Sequence, residues 1–108
     1  APGSDTNSWV LDARGDKWTN NSDTSIGGNL SSSDIVMLAF SGSKLWFGVN
    51  GSWLNSGDPA AGTNEAFSGL SGSMFLIAGA DTADGTCSGK LAASLTYSPP
   101  TGFTAGWA

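Results

Sequence analysis

The residues able to do chemistry in this chain are few, and their spacing limits what they can do. Asp12 and Asp16 flank Arg14, and Asp81 and Asp84 share one short segment beside Gly85. Paired carboxylates serve general acid–base catalysis or calcium binding. Asp81-Thr82-Ala83-Asp84-Gly85 falls short of an EF-hand loop and has no downstream Glu; Glu65 is the only Glu in the chain. Asp and Gly at these places read as turn formers. There is no His, so the commonest general base and metal ligand is missing. Ser is abundant, but no triad partner accompanies it, and Ser41 and Lys44 share the spacing of a Ser-x-x-Lys pair without its companion motifs. Cys87 is the single Cys and has no base beside it, which reads as a packed neutral thiol. Gly27-Gly28 lacks the Lys-Ser/Thr context of a phosphate loop. The expectation is a protein with no catalytic residues, no metal and no cofactor.

Aromatic residues carry the stronger functional signal. The chain has five Trp among 108 residues. Indole rings set beside Asn and Asp are a common means of binding sugars and peptides. Trp9, Trp18, Trp46 and Trp53 are the candidates for ligand or partner contact. For any single Trp a core role outweighs ligand contact. Trp46 and Phe47 are adjacent, so one faces inward and the other lies on the opposite face of its strand.

The elements that must position these residues are strands. No window carries a helical period, because Gly or Pro interrupts almost every one. Residues 8–12 and 17–19 read as a short hairpin turning at Arg14-Gly15-Asp16. Residues 20–33 read as a loop. Asp34 to Ser41 is the most apolar run and reads as a strand buried on both faces. Gly42-Ser43 links it tightly to Lys44–Val49. Asn50-Gly51 then leads into Ser52-Trp53-Leu54, since both turn residues tolerate the positive φ of a type I′ turn. Residues 55–72 form a long connection anchored by Phe67 and Leu70. Met74 to Ala80 reads as a second buried strand, Asp81 to Gly89 as a turn, and Lys90 to Tyr97 as a half-exposed strand that Pro99-Pro100 ends.

Length and charge narrow the class. A chain of 108 residues suits one domain, or the later part of one. Lys and Arg total 4 against 9 Asp and Glu, for a formal charge of −5. The four cations are scattered, which excludes the clustered basic surface that nucleic acid needs. No apolar run is long enough for membrane insertion as a helix.

Four segments in order resemble SPRY domains, and the last two resemble those of bacteriophage proteins in particular. They are the strand Asp34–Phe40; the hairpin Lys44-Leu45-Trp46-Phe47-Gly48-Val49-Asn50-Gly51-Ser52-Trp53; the connection Gly57-Asp58-Pro59-Ala60-Ala61-Gly62-Thr63 with Ala66–Gly72; and the ending Pro99-Pro100-Thr101-Gly102-Phe103. The resemblance implies an all-β, antiparallel β-sandwich of the SPRY/concanavalin-like kind, incomplete at its N-terminal side. It implies a non-enzymatic structural or recognition module of a virion: a tail fibre, spike, baseplate or capsid-decoration protein. Its partners would be other virion proteins, copies of itself, or a host-surface glycan. A lectin-like carbohydrate-binding module and a cellular SPRY adaptor for short peptides are the rival readings. Apolar strands that need cover on both faces lead to the further expectation that the chain does not stand alone.

Overall fold

The computed structural model describes residues 3, 7–27, 29–31, 33–71 and 97–104. The strand expected over residues 74–80 lies outside them, as does all but Tyr97 of the strand expected over residues 90–97, and so do Asp81, Asp84, Cys87 and Trp107. The described residues are all-β, with two three-stranded antiparallel sheets and a single 3₁₀ turn at Leu54–Ser56.

The first sheet is a meander of β1 (Val10–Leu11), β2 (Asp16–Thr19) and β3 (Ser22–Ser25). Val10 pairs with Trp18 and Leu11 with Lys17, the hairpin expected from residues 8–19. The loop expected over residues 20–33 is corrected in its first part. Asn20 and Asn21 take φ of 50° and 58°, and Thr19 pairs with Ser22 across them. Two consecutive residues at positive φ make the I′-type turn that matches strand twist, and Asn enters this region at low cost. The chain therefore reverses into β3, although every residue of that strand is exposed and none is apolar.

The second sheet is formed by β4 (Val36–Ser41), β5 (Lys44–Val49) and β6 (Ser52–Trp53). The β4–β5 register runs without a bulge from Val36↔Val49 to Ser41↔Lys44, closed by Gly42-Ser43. Asn50 and Gly51, at φ 51° and 89°, close β5 onto β6 as the sequence predicts.

Burial is distributed differently from the expectation. In β4 only Ala39 is buried, and Val36 is 48% exposed. The strand covered on both faces is β5, where Leu45, Trp46, Phe47 and Gly48 are all buried. The reason is position: β5 is central. It pairs with β4 along one edge, and along the other with β6 and then with Phe67, whose carbonyl accepts from the Leu45 N–H at 2.9 Å. Leu45 and Phe47 point to the main apolar cluster with Ile26, Ala66, Phe67 and Leu70; Trp9, Leu11, Leu38, Phe40 and Leu54 pack against it. Both sheets thus feed one cluster, and Phe67 and Leu70 are anchors as expected. Trp46 points the other way. Its ring meets Phe103 edge-on at 6.0 Å, and its indole N–H donates to the Thr63 carbonyl at 2.8 Å.

Candidate functional site

Among the described residues, polar and aromatic groups converge at the β1–β2 turn. Asp12 organises it. Its Oδ1 accepts from the backbone N–H groups of Arg14 at 2.9 Å and Asp16 at 3.1 Å, the local bonding that makes Asp a turn former. Its Oδ2 accepts from Arg14 Nη2 at 2.9 Å, Arg14 Nε at 3.3 Å and the Trp18 indole N–H at 2.8 Å. The register explains the last contact. Continuing past Leu11↔Lys17 sets Asp12 opposite Asp16, which makes Trp18 a diagonal neighbour on the same face.

These bonds decide the carboxylate's charge. Partial burial works to raise its pKa. Hydrogen bonds from Trp18, from the Arg14 side chain and from the Asp16 and Arg14 backbone outweigh that and hold it at about 2. Asp12 is therefore ionised near neutral pH and has no proton to donate. It is a positioning group. The Arg14 guanidinium is pulled up in pKa by its hydrogen bond and charge contact with Asp12, and further by Asp16 and Asp23. It lies 6.0 Å from the centre of the Trp18 ring and 3.6 Å from Asp16, yet its side chain is 66% exposed. The guanidinium thus lies on the surface next to a half-buried indole.

The four candidate Trp residues separate. Trp18 is half-buried and carries the site on the face shared with Val10 and Asp23. Trp9 is half-buried and packs against the apolar cluster. Trp53 is half-buried opposite Gly48, where its ring would meet any added Cβ at 3.0 Å. Trp46 is 1% exposed and has no face open to a ligand. The loop closed by Asp58 and Thr63, together with Phe103, covers it. The structure does not bring the four together into one site.

Two polar roles were not visible in the sequence. Lys17 reaches from β2 to the carbonyl of Ala66, with its amine 5.1 Å from the Phe67 ring. Lys44 donates to the Gly62 carbonyl at 2.8 Å and lies 3.6 Å from Glu65. Both partners are distant in sequence, and no local pattern announces such a pair. Asp12 with Trp18 was legible in principle, from the hairpin register alone. Among the described residues no cluster of three or more His, Cys, Asp or Glu side chains could hold a metal ion.

No family model matches the chain, and no curated protein or solved structure matches it either.

Proposed function

We propose that this chain is a non-enzymatic structural and recognition module of a bacteriophage particle, built as a SPRY-like β-sandwich from the two sheets. The virion setting rests on the resemblance of residues 34–40, 44–53, 57–72 and 99–103. The observation that carries the recognition role is the Trp18–Arg14–Asp12 arrangement. A half-open indole and an exposed guanidinium are held in place by a carboxylate, so little side-chain freedom is left to lose on binding. Aromatic surface framed by fixed donors and acceptors suits a glycan or a polar protein surface. An assembly role is supported by Val36 of β4, a large apolar side chain that is 48% exposed.

Sedimentation and a glycan array test the two halves. Association at micromolar concentration supports assembly, and a stable monomer with a sharp melt overturns it. A saturable glycan signal lost in Arg14→Ala and Trp18→Ala supports attachment through this site. The lectin-like reading gains if that signal comes from a protein that is monomeric throughout. A signal unchanged in both variants removes the site from the proposal.

A further inference from the structure

Asn50-Gly51 is the only Asn-Gly pair in the chain, and it sits in an exposed turn. Glycine offers no side chain to block approach to its amide nitrogen. Such a pair is chemically labile when the Asn carboxamide is free to turn toward the next peptide nitrogen. Here it is not free. Ile35 N–H donates to Asn50 Oδ1 at 2.8 Å, and Asn50 Nδ2 donates to Asp34 Oδ1 at 2.9 Å. A backbone N–H can only donate, so the amide's orientation follows from its partners. The Asn50 N–H donates in turn to the Ile35 carbonyl at 2.8 Å. Asp34 is itself held, its Oδ2 accepting from the Ser31 N–H at 2.7 Å. The Gly51 N–H is directed at Met37 Sδ, 3.1 Å away.

We infer that Asn50 is a latent deamidation site, kept closed by the clamp of Asp34 and Ile35, and that its conversion disables the hairpin that protects it. When the clamp opens, the Gly51 nitrogen loses its proton to solvent base and attacks Asn50 Cγ. The N–Cγ bond forms, the Cγ–Nδ2 bond breaks, and Nδ2 leaves as ammonia with a proton from water. Water then opens the cyclic imide at one of its two carbonyl carbons, giving Asp or isoaspartate at position 50. The Asp product places a carboxylate where a donor faced Asp34. Asp34 is ionised near neutral pH, because its bonds from the Ser31 N–H and the Asn50 amide lower its pKa. The new pair repels, and the hydrogen bond from Asn50 Nδ2 to Asp34 Oδ1, which ties the β5–β6 turn to the segment before β4, is lost. The isoaspartate product puts an extra carbon into the backbone of the turn. The modification is one-way and accumulates with the time this edge of the sheet spends open.

Peptide mapping by mass spectrometry tests this on the purified protein, incubated folded and in urea at the same pH and temperature. Position 50 is expected to convert at least about tenfold more slowly in the folded protein, as a protected site does when reaction requires local opening. Asp34→Ala is expected to raise the folded-state rate at position 50 several-fold, with the other Asn positions as internal references. Asn50→Asp is expected to melt below the parent, and the swapped pair Asn50→Asp with Asp34→Asn to recover most of the loss. Equal rates folded and in urea, or an Asn50→Asp protein as stable as the parent, would overturn the inference. Should Asp34→Ala fail to fold, the folded-against-urea comparison and the swapped pair still decide it.

Discussion

Asp12 shows how much one side chain organises when every oxygen is used. Five donors converge on it from the turn backbone, Arg14 and Trp18. Its folded pKa of about 2 lies below the ordinary 3.8, so on acidification the unfolded chain takes up the proton first. The stabilisation is whole above 3.8 and is lost as pH falls through about 2. Urea titrations across that window are expected to show a falling midpoint in the parent and a flatter profile in Asp12→Asn. An equally steep profile in the variant would assign the acid sensitivity elsewhere. At neutral pH Asp12→Ala is expected to cost about 1 kcal/mol, the scale of a partly exposed charged hydrogen bond. It should also change Trp18 fluorescence, because the indole N–H loses its acceptor.

At the scale of elements, the β5–β6 hairpin combines a turn that needs positive φ with a close approach that needs a missing Cβ. Gly51→Val forces a β-branched residue to φ 89°, and its Cβ would meet the Tyr97 ring at 3.0 Å. A loss of about 2 kcal/mol in chemical denaturation is expected. Gly48 is a different case. A Cβ there would lie 2.8 Å from the Ser52 carbonyl, which is backbone and cannot swing away, and 3.0 Å from the Trp53 ring. Gly48→Ala is therefore expected to pry β6 from β5 and to expose Trp53 to an aqueous quencher. If its melt and quenching match the parent, the close packing of Trp53 on β5 is wrong.

Across the whole molecule, the two sheets are tied through the segment Ala66–Phe67. It hydrogen-bonds to Leu45 of β5 and accepts the Lys17 amine from β2 at Ala66. Phe67 also meets Phe47 edge-on at 6.3 Å. Ile26, after β3, is fastened on both sides: its N–H donates to Gly15 and its carbonyl accepts from Asn55, each at 2.9 Å. The sheets are thus expected to unfold together. Phe67→Ala should cost about 3 kcal/mol by removing a buried ring. Lys17→Met should cost about 1 kcal/mol by leaving the Ala66 carbonyl without its donor. Because both changes strike one contact, their combined effect should depart from the sum by about 0.5 kcal/mol or more. Strict additivity, or separate transitions by fluorescence and far-ultraviolet circular dichroism, would show sheets that are not coupled here.

What the sequence alone determined are features that depend on a few adjacent residues. Among the described residues the apolar runs became β1, β4, β5 and β6, with β2 completing the first hairpin, because alternation and turn chemistry act locally. Asn50-Gly51 turned as read, since positive φ is a property of those two residues. Phe67 and Leu70 were legible as anchors because they are isolated apolar points in a polar stretch. β3 escaped because Ser22-Asp23-Thr24-Ser25 has no apolar face; it exists through the Asn20-Asn21 turn and its pairing with β2. Which strand would be central was also beyond the sequence. β4 is the more apolar, yet β5 is the more buried, because burial depends on what pairs and packs on each side. Those neighbours, Phe67 on one edge of β5 and the Thr63 loop and Phe103 over Trp46, come from sequence-distant segments. The same holds for Lys17 with Ala66. Local patterning chose the strands, and long-range contacts decided which side chains became core, which became ties, and that Trp18 stayed half open.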